Sequence, residues 1–170
     1  MPADLTTRVN ISKIGVISDT HIPTRAKQLP VAVFSHFKGV DLIIHCGDIV
    51  EQNVLVELAA IAPVYAVKGN MDSHDIKEPS ELIIEINKKF TLCVSHGTGS
   101  PFDTKERLSK KFRAYKPYMI IHGHTHLPEI SAYSDIKIFN PGSCTNGHDY
   151  NSIGILDIKP DLIDCKIIPL

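Results

Sequence analysis

Seven side chains that can bind a metal ion stand directly after short apolar runs of this sequence. They are four histidines, two aspartates and one asparagine: Asp19, His21, Asp48, Asn70, His96, His124 and His126. The run "MIIHGHTH" at 119–126 displays the pattern best, because it places three histidines within five residues. One polar residue at the end of a strand is ordinary turn chemistry. Seven of them, at the ends of five apolar runs, predict a shared ligand.

The apolar runs are short, rich in β-branched residues and bounded by turn residues, so they predict strands. We expect them at 13–18, 41–46, 63–69, 81–86, 90–95, 118–123, 136–140, 152–158 and 162–168. Helical patterns cover 29–37 and 54–62, and a third helix should open with a capping box of Asp103 and Glu106. Alternating strands and helices predict parallel pairing at the front, and a hairpin at 87–89 predicts antiparallel pairing behind it. We therefore expect an α/β fold, classed as α+β in some schemes, with two packed mixed sheets flanked by helices.

Composition narrows the class of protein. The 170 residues, 43% of them hydrophobic, predict a single domain over 1–170 and leave open whether residues 1–10 are ordered. A net charge of -1 argues against a nucleic-acid partner. No apolar run approaches the roughly 20 residues that span a bilayer, and no signal peptide is recognisable. Four scattered cysteines without a Cys-x-x-Cys pair favour a reducing cytoplasm over a disulfide framework. We expect a cytoplasmic protein without a membrane partner, and a homo-oligomer remains open.

The carboxyl ends of parallel strands form the edge at which α/β proteins bind ligands. Imidazole, carboxylate and amide groups without thiolate suit first-row ions such as Mn, Fe, Zn, Ni or Co better than Mg²⁺ or Ca²⁺. Seven ligands exceed what one catalytic ion needs, but they fill two sites if one carboxylate bridges them. Asp48 lies between the two ends of the set and is the natural bridge.

The ordered motifs Asp-x-His, Gly-Asp, Gly-Asn, His-Gly and Gly-His-x-His resemble the calcineurin-like metallophosphoesterase superfamily. The chain length and "FNPGS" at 139–143 resemble its small bacterial and archaeal phosphodiesterase branch, and the likeness runs from Ile14 to about Ile158. It implies a two-sheet sandwich with outer helices and two metal ions, manganese being our first choice. One ion would be held by Asp19, His21, Asp48 and His126, and the other by Asp48, Asn70, His96 and His124.

The resemblance also implies a reaction, the hydrolysis of a small phosphodiester by in-line attack of a metal-bridging hydroxide. The substrate would be a small phosphorylated molecule such as a nucleotide. The catalytic residues would be Asp48, Asn70 and His96. Substrate contacts are expected from Asn70, His74, Asn140 and Ser143.

One position departs from the superfamily pattern. Many members carry a histidine after the Gly-Asn pair, whereas this chain reads Gly69-Asn70-Met71-Asp72. A thioether has no proton to donate. We therefore expect activated aryl phosphodiesters to react much faster than alkyl ones, unless His74 replaces the missing acid.

Two alternatives stay open. A phosphomonoesterase would use the same ion pair. A non-catalytic protein-binding scaffold is the other, because a eukaryotic retromer subunit of this fold has lost several ligand residues and works through its surface. All seven ligand types are present here, which favours the enzyme.

Overall fold

The computed structural model describes residues 6–170, and within them eleven strands and three α-helices. The strands are β1 (Thr6–Arg8), β2 (Lys13–Ile17), β3 (Leu42–His45), β4 (Val64–Ala66), β5 (Glu81–Ile86), β6 (Phe90–Ser95), β7 (Met119–Ile121), β8 (Pro128–Tyr133), β9 (Ile136–Pro141), β10 (Ser152–Ile158) and β11 (Ile163–Pro169). The helices are α1 (Val31–His36), α2 (Asn53–Ala59) and α3 (Thr104–Phe112), and 3₁₀ turns cover Pro101–Asp103 and Arg113–Tyr115.

The strands form two mixed sheets. One sheet has five strands in the order β11-β10-β2-β3-β4, and β2, β3 and β4 run parallel. The other has six strands in the order β1-β5-β6-β7-β9-β8, and β6, β7 and β9 run parallel. Each sheet therefore presents the carboxyl ends of three parallel strands, and the seven candidate ligands follow five of these six strands.

The inner faces of the two sheets share one hydrophobic core. Val16 and Ile44 of the five-stranded sheet lie in it together with Ile84, Leu92 and other apolar residues of the six-stranded sheet. Burial of these aliphatic side chains is the main force that holds the sheets together. The sandwich in turn fixes the relative position of the strand ends.

Helices cover the outer faces. Val33 of α1 and Leu58 of α2 pack with Ile43 on the outside of the five-stranded sheet. Leu108 and Phe112 of α3 pack with residues of β6, β7 and β9 on the outside of the other sheet. The predicted two-sheet sandwich with flanking helices is confirmed.

The hairpin predicted at 87–89 is present. Asn87 and Lys88 both adopt left-handed φ angles, 54° and 57°, and Lys89 N donates to Ile86 O. Two consecutive left-handed residues match the right-handed twist of the paired strands, which is why such turns join antiparallel strands. The nine predicted strands are all found, several with shorter ends.

Three details differ from the predictions. β1 occupies Thr6–Arg8 within the segment whose order was left open, and residues 1–5 lie outside the described residues. β8 was not predicted, because its edge sequence "PEISAY" contains no fully buried residue and begins with proline. The predicted capping box is wrong: Asp103 makes no side-chain cap to α3 and instead pairs with Arg107.

Within residues 6–170, no helix combines the length and apolar character needed to cross a bilayer.

Candidate metal centre

The seven predicted ligands converge at one edge of the sandwich, although they come from five separate loops. Asp19 and His21 follow β2, and Asp48 follows β3. Asn70 follows β4, His96 follows β6, and the last two histidines follow β7. Parallel strands place their carboxyl ends together, so residues that are far apart in sequence meet here.

The loops that carry the ligands have unusual backbone angles. Five of the seven residues have left-handed φ angles: Asp19 at 52°, His21 at 45°, Asp48 at 55°, His124 at 69° and His126 at 57°. Non-glycine residues rarely adopt this conformation, and it costs roughly 1–3 kcal/mol each where the surroundings impose it. Such strain concentrates at functional sites, where it directs side chains toward a common point.

A first group of acceptor atoms surrounds Asp19 Oδ1. His126 Nε2 lies 3.1 Å from this oxygen and 3.3 Å from His21 Nε2. His21 Nε2 in turn lies 3.5 Å from Asp48 Oδ2. A divalent ion with ligands about 2.1 Å away separates neighbouring ligand atoms by about 3.0–3.4 Å, which these distances match closely.

A second group surrounds Asn70 Oδ1. His96 Nε2 and His124 Nδ1 each lie 3.1 Å from this oxygen. His96 Nε2 also lies 3.3 Å from Asp48 Oδ2. Asp48 Oδ2 therefore belongs to both groups, as expected for a bridging carboxylate.

Backbone carbonyls fix the tautomers of three of the histidines. His96 Nδ1 donates to Cys46 O at 2.8 Å, His124 Nε2 to Gly99 O at 3.0 Å, and His126 Nδ1 to Asn146 O at 2.8 Å. A ring nitrogen that donates to a carbonyl carries the proton, so the other nitrogen of a neutral ring presents a lone pair. Each of these lone pairs faces the oxygens of the two groups. Acceptor atoms that face one another at this distance need a proton or a cation between them.

The buried carboxylate of Asp19 is further evidence for a cation. Its Oδ2 accepts hydrogen bonds from Ser18 Oγ at 2.5 Å and from His124 N at 3.1 Å. Its Oδ1 is buried and has no hydrogen-bond partner. An unpartnered buried carboxylate oxygen is costly unless an ion neutralises it, so the residues present fit a bound divalent metal.

The electrostatics of these side chains agree with this interpretation. Burial raises the pKa of Asp19, but its contacts with the His126 and His21 imidazoles outweigh burial and hold the pKa far below its ordinary value. Burial also raises the pKa of Asp48, and its contact with His96 lowers the net value. The pKa of His126 is raised by its contact with Asp19, and that of His96 is raised by Asp48 despite burial. The ionised carboxylates thus favour positive charge between themselves and the imidazoles, supplied by a proton or by a bound cation.

Two glycines allow the loops to approach one another. A Cβ at Gly69 would overlap Asp48 Oδ1, and a Cβ at Gly123 would overlap Ser18 Oγ. Glycine is therefore required at these positions by close contact with the ligand loops.

Asn140 and Ser143, expected to contact substrate, are both fully buried behind the centre. Asn140 Nδ2 donates to Gly123 O at 3.1 Å and to Thr125 Oγ1 at 2.9 Å. Ser143 Oγ donates to Asp19 O at 2.9 Å. These contacts support the metal-binding loops and leave no polar atom facing the solvent side, so the geometry favours a positioning role.

His74 lies on the exposed segment between β4 and β5, where its carbonyl accepts a hydrogen bond from Lys77 Nζ. Its role as a substitute acid stays a prediction. Met71 is 55% exposed, and its N–H donates to Asp48 Oδ1 at 2.8 Å. Met71 therefore lies beside the centre through its backbone, with an exposed side chain.

Other supporting groups were not predicted. Asp72 accepts hydrogen bonds from Val50 N at 2.6 Å and from Gly69 N at 2.7 Å, and so joins two ligand loops. The motif Gly-Asn-x-Asp could have suggested this role. The three backbone carbonyls that orient the imidazoles leave no signal in the sequence, because a carbonyl is common to every residue.

Two cavities border the centre. One of about 510 Å³ borders Asn70 and His96. Another of about 370 Å³ borders His124 and His126. A group bound at the centre could therefore extend in two directions.

A two-sheet sandwich with aspartate, asparagine and histidine side chains converging at the carboxyl ends of its parallel strands is the arrangement that the resemblance to metallophosphoesterases implies. Comparison with known families agrees: residues 13–161 match the calcineurin-like phosphoesterase superfamily domain. The chain belongs to this superfamily.

Relatives and solved structures give the same result. The chain is 40% identical over 157 residues to a probable metallophosphoesterase of Methanothermobacter thermautotrophicus, covering 91% of each chain. It is 28% identical over 163 residues to a phosphodiesterase of Methanocaldococcus jannaschii, covering 86% of this chain and 93% of that one. The structure of vacuolar protein sorting 29 from Cryptosporidium parvum superposes with a TM-score of 0.76 at 20% identity, covering 94% of this chain and 98% of that one. At that identity the likeness concerns the fold alone.

Proposed function

We propose that the protein is a phosphodiesterase that uses two divalent first-row metal ions. Manganese is the first choice, and Fe, Zn, Ni or Co are alternatives. The observation that carries the proposal is the position of Asp48 Oδ2, 3.5 Å from His21 Nε2 in one acceptor group and 3.3 Å from His96 Nε2 in the other. A shared carboxylate oxygen between two acceptor groups supports an ion pair more strongly than a single site.

When bound, the two ions would activate a water molecule for in-line attack on phosphorus and neutralise charge on the phosphoryl oxygens. The chain's own residues prepare the centre for this chemistry. Asp48 ties the two acceptor groups together, and the Cys46 carbonyl holds His96 in the tautomer that leaves Nε2 unprotonated. Asn70 Oδ1 faces the two imidazoles, so its Nδ2 points away from them and can donate to a phosphoryl oxygen.

The cavities support a diester substrate over a monoester. In-line displacement places the attacking water opposite the leaving arm, while the second arm of a diester stays attached to phosphorus. A phosphodiester has two organic arms, and the spaces beside Asn70 and His124 can each accept one. A monoester would need only one of them.

Met71 limits the leaving groups that the enzyme can expel. Without a proton donor at this position, the leaving oxygen must depart as an anion or take its proton from water. The proposed enzyme therefore favours leaving groups of low pKa.

The substrate that we propose is a small phosphodiester, for instance of a nucleotide, processed in the cytoplasm. The four cysteines are free, and burial raises the pKa of the thiols of Cys93 and Cys144 to about 12. Thiols of this kind are unreactive, which suits a reducing compartment.

The scaffold alternative draws on the likeness to vacuolar protein sorting 29. Two intact groups of converging acceptor atoms argue against it, because a surface-binding protein has no need for unpartnered buried oxygen at Asp19 Oδ1.

The test compares bis(p-nitrophenyl) phosphate with p-nitrophenyl phosphate, using protein stripped of metal and reloaded with Mn²⁺. We expect metal-dependent release of nitrophenol from the diester, and a loss of at least 100-fold in Asp48→Ala. Asp161→Ala is the matched control, because this side chain is 91% exposed and pairs only with Lys89 among the described residues. Metal-dependent turnover of the monoester alone would favour the phosphomonoesterase, and no turnover of either would favour the scaffold.

A further inference from the structure

The cavity of about 510 Å³ beside the metal centre extends well beyond the space that a phosphate needs. Asn70 and His96 form its inner end. Its outer walls come from the segment between β4 and β5, the start of β5, the loop after β6, and α3. The side chains that characterise these walls are Lys68, Glu78, Ser80, Glu81, Thr98 and Lys111. The volume lies within the range of about 300–1,000 Å³ that is typical of small-molecule sites.

The charges of these walls cancel. Two lysines stand against two glutamates, and Lys111 forms a direct ion pair with Glu81. A second phosphate group on the substrate would lose its hydration here without a net positive potential to replace it. Apart from the His96 imidazole at the inner end, the residues that line the described cavity include no aromatic ring on which a nucleobase could stack. Neither an additional anionic group nor a base is favoured.

The walls offer both hydrogen-bond donors and hydrogen-bond acceptors. The Glu78 carboxylate has no hydrogen-bond or ion-pair partner within residues 6–170, so both of its oxygens can accept. Lys68 Nζ donates one hydrogen bond, to Ile76 O at 3.4 Å, and keeps two further protons. The hydroxyls of Ser80 and Thr98 can do both. Adjacent hydroxyl groups are the ligands that such a mixed surface satisfies, because each hydroxyl both donates and accepts.

We propose that this cavity binds an uncharged, polyhydroxylated arm of the substrate, of the glycerol or pentose type. The proposal rests on the phosphodiesterase function and specifies its substrate class. The phosphate would lie at the metal centre, and the hydroxyl groups of the arm would bind Glu78 and Lys68.

Calorimetric titration of the Mn²⁺-loaded protein tests the proposal with three probes. Glycerol 1-phosphate and n-propyl phosphate have arms of similar length with and without hydroxyls, and glycerol 1,3-bisphosphate adds a second anion. We expect glycerol 1-phosphate to bind at least 10-fold more tightly than n-propyl phosphate, and the bisphosphate to bind no more tightly than glycerol 1-phosphate.

Variants locate the effect. Glu78→Met should reduce the preference for glycerol 1-phosphate to about unity, and Lys68→Met should reduce it independently. Glu106→Met is the matched control, because Glu106 pairs with Lys110 on α3 and does not line the cavity. The ratio of two affinities measured on the same variant cancels any general loss of metal or folded protein.

Equal affinities for the two monophosphates in the unmodified protein would overturn the proposal. Tighter binding of the bisphosphate, or an unchanged ratio in both Glu78→Met and Lys68→Met, would do the same. This binding assay is separate from turnover: a retained 10-fold preference without hydrolysis of any diester would contradict the proposed function and leave the cavity's ligand class supported.

Discussion

Replacement of Asn140 by aspartate distinguishes a residue that positions the metal loop from one that contacts substrate. Asn140 is fully buried, and its Nδ2 donates to Gly123 O and to Thr125 Oγ1. Its Oδ1 accepts from Gly142 N at 2.9 Å. The side chain therefore joins the end of β9 to the loop that carries two of the proposed ligands. Asn140→Asp keeps the shape of the side chain and replaces the donor by an acceptor.

The size of the effect follows from the lost contacts. The Thr125 hydroxyl can rotate and donate to the new carboxylate, but Gly123 O has no proton to offer. Gly123 O still accepts from Thr125 N at 2.8 Å, but it then faces a carboxylate oxygen instead of an amide donor, and the loss of this buried hydrogen bond costs about 1–3 kcal/mol. Loss of a group that supports metal ligands typically weakens metal affinity by about 10–100-fold. We expect both effects in Asn140→Asp.

The assay combines denaturant unfolding of the metal-free protein with calorimetric titration of Mn²⁺. Asn53→Asp serves as the control, because Asn53 lies on the exposed surface of α2, where it donates to Glu57. That variant should change stability by less than about 0.5 kcal/mol. An unchanged Mn²⁺ affinity with a raised KM in Asn140→Asp would refute the positioning role and favour direct substrate contact.

Three further predictions concern the centre and its surroundings. Gly123→Ala should weaken Mn²⁺ binding at least 10-fold in a titration, because the new Cβ would overlap the Ser18 hydroxyl; normal binding would contradict the close approach. Met71→His should raise the rate on alkyl phosphodiesters by about 10-fold or more and leave activated aryl diesters nearly unchanged, since it restores a proton donor; equal acceleration of both classes would argue against this explanation. Burial lowers the pKa of His45 to about 3, below the value near 6.5 of the unfolded chain, so the free energy of unfolding should fall as the pH decreases from about 6.5 toward 3, by at most about 1.4 kcal/mol per pH unit. Denaturant unfolding at several pH values should show a smaller slope in His45→Gln, and the same slope in His148→Gln, whose side chain is 70% exposed.

The sequence contained enough information to predict the sandwich, because most of its strands are buried and rich in aliphatic residues. β8 escaped prediction since it lies at a sheet edge, where weak strand formers such as Pro128 and Glu129 are tolerated. The sequence around Asp103 correctly predicted the start of α3, but the Asp103 carboxylate pairs with Arg107 instead of capping the helix backbone. Local sequence patterns therefore identify helices and strands, whereas the side-chain contacts depend on which of several possible partners lies nearby in the folded chain.

The candidate ligands could be predicted for a related reason. Parallel strands bring their carboxyl ends together whatever the loops contain, so residue types at strand ends indicate a common site. The burial of Asn140 could not be predicted in this way, since it depends on the packing of β9 against the metal-binding loop. The left-handed φ angles of five of the candidate ligands could not be predicted either. A glycine would have suggested that conformation, because it adopts it at little cost, whereas aspartate and histidine give no such signal.

Strain and electrostatics at the centre have a common consequence. The left-handed residues raise the energy of the loops. The close polar atoms of His21, His126 and Asp19 repel one another unless a proton or a cation lies between them. Burial of the hydrophobic clusters on both faces of the five-stranded sheet offsets these two unfavourable terms, and it fixes the strand ends independently of the centre. A bound cation would remove the repulsion without requiring the tautomers of His96 and His126 to change, because backbone carbonyls already hold their Nδ1 protons. The fold thus supplies a preorganised set of acceptors. Little of the free energy of metal binding would be lost to rearrangement of the site.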